Sequence, residues 1–285
     1  RHLVEYARNN EVEIVAVCDI NQARVEEVGA NFGAAKTFTD YNDLLKEDLD
    51  AVSVCTPNYL HAPISIAALK AGKHVLCEKP MATSEVEADQ MIEAAKNSGK
   101  TLMIAHNQRF VKSHQLAKEW IASGKLGKVY SFRTAFGHPG PETWSAEGKD
   151  SWFFKKDQAF IGAMGDLGVH KTDLIRHILG EEIVEVAAMV ETSAKENADV
   201  DDNAVLILKT QSGIVGTLAA SWSYNGTEDN STVIYAENGV LRLEDDETFS
   251  VVFHKSDRTK EELNLGQIQS NDEGGQVTSG VIDHF

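Results

Sequence analysis

Four short apolar runs, alternating with residues at helical spacing, constrain this chain more than any other feature. They are EIVAVCDI (13–20), AVSVCTP (51–57), HVLCE (74–78) and TLMIAHNQRF (101–110). Continuous rather than alternating apolar character predicts strands buried on both faces, as in a parallel sheet. The stretches between them read as helices. Residues 21–32 carry Ala23, Val25, Val28 and Phe32 as apolar positions, 61–72 end at Gly72, and 84–99 open with a Ser84/Glu87 capping-box pattern. Leu3, Val4 and Ala7 make residues 1–9 read as the end of one more helix. Strand–helix alternation predicts an α/β, doubly wound parallel sheet with ligands at the carboxyl ends of its strands.

Beyond about residue 124 the pattern changes. KVYSFRTAFGH (128–138) is strand-like, a loop with Pro139, Pro141, Trp144 and Trp152 follows, and a helix is expected over about 163–179. Then come IVEVAAMVETSA, NAVLILKT, GIVGTLAASWSY, STVIYAE, GVLRLE and FSVVFH, separated by turn residues such as Gln211-Ser212-Gly213 and Asn238-Gly239. Sequential strands with short turns predict an α+β domain with an open, mostly antiparallel sheet. The expected division is 1–122 and 123–285, with 195–203 as a surface loop.

Composition excludes several partners. The formal net charge of −17 argues against nucleic acid, which needs a basic surface. No apolar run approaches the roughly 18–20 residues of a membrane span. The three cysteines, Cys18, Cys55 and Cys77, lie in apolar runs without a CxxC pair. They read as buried, reduced thiols of a cytoplasmic protein, rather than a disulfide or a zinc site.

Polar residues gather where the apolar runs end: Asp19; Cys55-Thr56-Pro57-Asn58; Glu78-Lys79; Asn107 and Gln108. An acid ending the second strand of a dinucleotide-binding unit accepts hydrogen bonds from the adenosine ribose and repels a 2′-phosphate. With Ile20 next and no arginine beside it, Asp19 favours NAD over NADP; the alternative is a plain helix cap. Pro80 keeps Lys79 extended, so the amine stands at the sheet edge instead of starting a helix. That is a candidate catalytic position, or an ordinary solvated turn.

A second constellation is GAMGDLGVHKTDLIRHILG (162–180). On a helical wheel Asp166, His170, Asp173 and His177 fall within about 40° of one meridian. Asp166 is spaced to orient the His170 imidazole, a proton-transfer group for the physiological range. Metal ligation is disfavoured because the four span three turns of helix. Satisfied polar residues at a domain interface are the structural alternative.

Taken in order, VAVCDIN (15–21), CTPNYLHAP (55–63), GKHVLCEKPMA (72–82), AHNQRF (105–110), SGKLGKV (123–129) and GDLGVHKTDLIRHILG (165–180) resemble the Gfo/Idh/MocA oxidoreductases. The resemblance implies a nicotinamide-binding Rossmann domain, then a substrate domain, and oxidation or reduction at a secondary hydroxyl of a sugar, polyol or sugar derivative. It implies catalytic roles for Lys79, Asp166 and His170, and cofactor contacts from Asp19, Cys55, Thr56, Pro57, Asn58, His61, Glu78, Lys79 and Asn107. Arg109, Trp152, Lys79, Asp166 and His170 would meet the substrate. His170 is the expected base, oriented by Asp166, while Lys79 holds the substrate oxygen or relays the proton. Two departures stand out: Phe153 replaces the usual arginine, and the family's Gly-rich turn would lie before Arg1. RHLVEYARNN begins in mid-helix and SGVIDHF stops as a new helical pattern starts, so the chain is expected to be clipped at both ends. A non-catalytic nicotinamide-binding regulator is the alternative reading, as is imine or pyrrole reduction. Apolar residues in the C-terminal strands predict a homodimer or homotetramer through that sheet.

Overall fold

The computed structural model describes residues 1–266 and 279–285. They form two compact units, one of Arg1–Ala105 with the described C-terminal residues, the other running from His106 onward.

The first unit contains, in order, α1 (His2–Tyr6), β1 (Ala16–Cys18), α2 (Gln22–Phe32), β2 (Lys36–Phe38), α3 (Tyr41–Leu44), β3 (Ala51–Val54), α4 (His61–Lys70), β4 (His74–Cys77), α5 (Glu85–Ser98) and β5 (Leu102–Ile104). All strand pairing here is parallel, β1 with β2 in one sheet and β3-β4-β5 in another. The core packs Val54, Val75 and Cys77 of the strands against Ala68, Leu69 and Met91 of the helices. This agrees with the α/β reading.

Several local expectations change. β2 and α3 escape a periodicity argument because three or four residues carry too little apolar pattern, and Lys-Thr-Phe is largely exposed. TLMIAHNQRF is a strand only as far as Ile104; Asn107–Phe110 form a 3₁₀ turn. Only Cys77 of the three thiols is buried, and Cys18 and Cys55 are exposed. They close β1 and follow β3 at the carboxyl edge, where Cys55 Sγ lies 3.4 Å from His2 Nδ1 of α1. The capping box also shifts. Ser84 Oγ accepts from the Glu87 N–H at 3.3 Å, but the Glu87 carboxylate accepts from Thr83 N and Thr83 Oγ at 3.1 and 2.7 Å.

The second unit contains α6 (Lys112–Ala122), β6 (Val129–Gly137), α7 (Lys156–Ala159), a π-helical turn over Met164–Gly168 running into α8 (Val169–Leu179), and then β7 (Ile183–Glu191), β8 (Asn203–Thr210), β9 (Val215–Ser221), β10 (Thr232–Ala236), β11 (Gly239–Leu243), β12 (Val251–Lys255) and β13 (Lys260–Leu263). The eight strands lie in the order β13-β12-β11-β10-β6-β9-β8-β7, antiparallel except for the parallel β6–β9 pair. α8 buries Leu174, Ile175 and Ile178 against one face of this sheet. On the other face Met189, Val205, Ile207 and Val215 are 77, 52, 52 and 44% exposed. Met189 pairs with Val205, whereas Ile207 pairs with Thr217 and Val215 with Lys209, so apolar and polar side chains share this face. After β13, Ser279 returns to the first unit, where its N–H and Oγ donate to Glu5 at 2.8 and 3.1 Å; α9 (Val281–His284) follows.

The start of the site helix is built by Asp201. Its carboxylate accepts from Gly162 N and Met164 N, both at 2.7 Å, and its carbonyl accepts from Ala163 N at 2.8 Å. Asp201 lies in the expected surface loop, yet this contact makes it structural. A Cβ on Gly162 would sit 1.9 Å from the Asp201 carbonyl oxygen, a main-chain atom that cannot swing aside. Gly162→Ala is therefore expected to cost about 2 kcal/mol or more, read as a lower urea midpoint. Unchanged stability would show that the 162–201 contact carries no such constraint.

Candidate active site

In the first unit the β3 and β4 exits lie side by side because the strands are in register to Val54↔Cys77. The Glu78 N–H donates to Val54 O at 2.9 Å, which holds the Glu78-Lys79-Pro80 turn beside the Thr56 exit; the Lys79–Pro80 peptide is cis. His61, fully buried, has Nδ1 2.7 Å from Pro80 O and Nε2 2.8 Å from Thr56 O. Burial lowers its pKa against the pull of those carbonyls. A neutral imidazole donates to only one of them. Both ring nitrogens face main chain, so His61 braces the two exits.

Glu78 has a partner that strand patterns do not reveal. His2 on α1 lies with Nε2 3.1 Å from Glu78 Oε1 and Nδ1 3.3 Å from Ser53 Oγ, while Tyr6 O–H lies 2.7 Å from the same Ser53 oxygen. Burial opposes charge on His2, but contacts with Cys55 and Glu78 outweigh it and raise its pKa to about 10. Burial likewise opposes ionisation of Glu78, and the His2 partner outweighs it, lowering the carboxyl to about 2. The two form an ion pair. The Glu78 carboxylate also accepts from the Lys79 N–H at 3.1 Å.

Asp19 follows β1. Its Oδ1 accepts from Asn21 N at 2.8 Å, and Arg24 NH1 reaches Oδ2 at 3.5 Å. The expectation of no arginine beside Asp19 fails in three dimensions, because a residue one helical turn into α2 points back at it. Asn21, not Asp19, caps α2 by accepting from Arg24 N. The Thr56 Oγ is buried with no hydrogen-bond partner, as is Asn107 Oδ1 in the 3₁₀ turn of the second unit.

In the second unit Asp166 occupies the π-helical turn and is buried, with Trp222 Nε1 donating to its Oδ2 at 3.1 Å. A π turn winds more loosely than 3.6 residues per turn, so a wheel drawn at α-helical pitch does not hold across 164–168. The expected meridian therefore does not extend to Asp166, whereas His170, Asp173 and His177 all lie in α8 and differ in their partners. Asp173 accepts a bidentate pair from Arg109, Nε at 2.7 Å and NH2 at 2.5 Å, with His106 Nδ1 at 3.6 Å. His177 turns to Lys118, whose Nζ is 3.4 Å from Nδ1.

His170 is half-buried, and its ring packs on Phe136 at a centroid distance of 5.8 Å. Phe136 meets His138 at 5.9 Å, His138 meets Trp144 at 6.4 Å, Trp144 meets Phe153 at 5.1 Å, and Phe153 stacks on Trp152 at 3.9 Å. A series of rings thus joins Trp152 to His170 within this unit. Phe136, His138 and Trp144 were not singled out from sequence, since strand β6 and a proline-bearing loop give no hint that their rings meet. Lys171 was missed as well. A lysine inside an amphipathic helix reads as its solvated face, yet this one is completely buried.

Known proteins resemble this chain in sequence and fold. A family model described as "Oxidoreductase family, NAD-binding Rossmann fold" matches residues 1–106, and one described as "GFO/IDH/MocA C-terminal domain" matches 114–242. The chain is 31% identical to levoglucosan dehydrogenase of Pseudarthrobacter phenanthrenivorans, over 76% of this chain and 60% of that one. It is 30% identical to myo-inositol 2-dehydrogenase of Thermotoga maritima, over 72 and 60% respectively. It therefore spans about 60% of the length of these curated relatives. Among solved structures, an oxidoreductase domain protein from Kribbella flavida aligns with a TM-score of 0.78 at 32% identity, covering 89% of this chain and 71% of that one. A levoglucosan dehydrogenase in complex with NADH and levoglucosan aligns with a TM-score of 0.84 at 26% identity, covering 99 and 84%. Both halves match in chain order and over most of the chain: it belongs to the Gfo/Idh/MocA oxidoreductase family.

Proposed function

We propose that this chain belongs to an NAD-dependent dehydrogenase that acts on a secondary hydroxyl of a sugar, polyol or sugar derivative. The observation that carries this reading is the match of both family domains, with Lys79, Asp166 and His170 all present in them. Relatives named for levoglucosan and myo-inositol oxidation support the substrate class.

The residues suit a dinucleotide. Thr56 Oγ is a buried polar atom lacking a protein partner at a strand exit, the kind of group a bound nucleotide satisfies. Asp19 would accept from the adenosine ribose hydroxyls, and its charge favours NAD over NADP. The Cys55-Thr56-Pro57-Asn58 exit and Glu78 would add cofactor contacts, with His61 bracing the β3 and β4 exits, and Asn107 is a further contact that the family resemblance implies. When bound, nicotinamide supplies the hydride acceptor or donor. The protein's own task is the proton. His170 takes it from the substrate hydroxyl, with Asp166, anchored by Trp222, setting the imidazole's orientation. Lys79 donates to the substrate oxygen and stabilises the negative charge that grows there. Arg109 and Trp152 would border the substrate. A cytoplasmic homo-oligomer closing the open sheet face fits the exposed Met189, Val205, Ile207 and Val215.

The test is NADH formation by the full-length protein with cyclic polyols, aldoses, glycosides and anhydrosugars. Turnover on at least one, with a lower KM for NAD than for NADP, is expected. NADH binding without turnover on the whole panel would overturn the enzymatic reading.

A further inference from the structure

Beside His170 on α8 lies a side chain with no part in the chemistry above. Lys171 is 0% exposed, and its Nζ donates to the main-chain carbonyl of Asn230 at 2.7 Å. The Asn230 side chain in turn accepts from Gln108 Nε2 at 3.0 Å. Gln108 sits in the 3₁₀ turn between Asn107 and Arg109, and its carbonyl lies 2.8 Å from Nδ1 of His114, also completely buried. The amine also stands over the Phe136 ring, 5.8 Å from its centroid, and the His170 ring packs on that same Phe136.

Burying an ammonium is unfavourable, and one carbonyl is thin compensation; an apolar side chain of similar volume is often as stable or more so at such a position. Gln108 Oε1 and His114 Nε2 are buried without partners, so the cluster is not optimised for stability either. What the amine does accomplish is connection. We propose that Lys171 is a positioning residue: from inside the second unit it ties the helix bearing His170, through Asn230 and Gln108, to the turn bearing Asn107 and Arg109. Its place on Phe136 sets the ring behind the imidazole as well.

The groups facing the amine are His114 on α6 and the carboxylates of Asp229, Glu228 and Glu244. Burial lowers the Lys171 pKa to about 7 against the pull of those acids. A charged donor bonds the Asn230 carbonyl more strongly than a neutral one, so the brace is tighter below that pH and slackens above it. Stability has the opposite sign. The folded pKa lies below the unfolded one, so stability is lowest below about pH 7 and rises towards the ordinary lysine pKa.

Lys171→Met and Gln108→Met in the full-length protein test this. Both variants are expected to lose hydrogen-exchange protection over 107–110, and Lys171→Met also over 229–231. Each should lower kcat by roughly 10-fold or more, with KM for NAD little changed. The ratio of unaltered to Lys171→Met turnover should fall as pH rises through about 7, and the ratio of unaltered to Gln108→Met turnover should fall with it, because that variant breaks the same brace. Lys171→Met is expected to melt no lower than the parent below pH 7, whereas a merely structural lysine would lower the melting temperature and leave kcat alone. Unchanged exchange over 107–110 in both variants overturns the proposal. The kinetic arms rest on the dehydrogenase reading, but the exchange arm does not, so an inactive parent would sink that reading and leave this one decided. If Lys171→Met fails to fold, Gln108→Met alone carries the exchange and kcat measurements, and parental values in it are equally fatal.

Discussion

Lys79→Met and His170→Asn are each expected to lower kcat by roughly 10²-fold or more while NADH still binds with near-parental affinity. Methionine keeps the length and apolar stem of Lys79 but removes the donor, so the Glu78-Lys79-Pro80 turn, held by the Glu78–Val54 bond and by His61, should persist. Asparagine at 170 retains a polar group on Phe136 but cannot exchange a proton near neutrality. Stopped-flow kinetics would separate the hydride step from release, and fluorescence titration would report NADH affinity. If both variants turn over at parental rates with the sugar that the panel identifies, neither side chain handles the proton, and the reaction assignment is wrong. A loss confined to one of them would say which group bears the transfer and which only holds the oxygen.

Arg109→Met should destabilise the protein by about 3 kcal/mol, the lower end of what breaking a buried ion pair costs. Asp173 is buried and loses both guanidinium donors in this variant, leaving a carboxylate with His106 Nδ1 3.6 Å away. The figure is not higher because Arg109 itself is 40% exposed and gives up little solvation in the native state. Pairing the change with Asp173→Leu removes the orphaned charge, and the double variant should regain most of the loss. Urea unfolding of the two singles and the double completes the cycle. A single variant within about 0.5 kcal/mol of the parent would mean that water already screens this pair.

The two units differ in how much of them could be read in advance. Parallel strands buried on both faces announce themselves as unbroken apolar runs, which is why β1, β3, β4 and β5 were legible and their exits located Asp19, Thr56 and Lys79. The strands β6–β12 of the mostly antiparallel sheet were legible because turn residues punctuate them, whereas β13, Lys-Glu-Glu-Leu, has no apolar run to notice. Helix caps were half legible. Ser84 behaves as its pattern says, but Glu87 is closer to Thr83, a choice made by backbone geometry rather than spacing. Within 162–180, Asp166 falls in the π-helical turn and His170 in α8, a change of pitch that spacing did not reveal. Asp173 and His177 were assigned to the same stripe, yet one is claimed by Arg109 and the other by Lys118.

By itself, then, the order of residues determined the alternation of strand and helix, the change to an antiparallel sheet, the family and the identities of the polar residues at the strand exits. These follow from local rules, namely hydrophobic period, caps, prolines and turns, which act over a few residues. Which of those polar groups would be spent inside the protein was decided only by tertiary structure. His2 reaches across 76 residues to Glu78, Trp222 across 56 to Asp166, and Lys171 across 59 to Asn230. A buried charge must find its partner wherever packing supplies one, and no spacing along the chain encodes that choice.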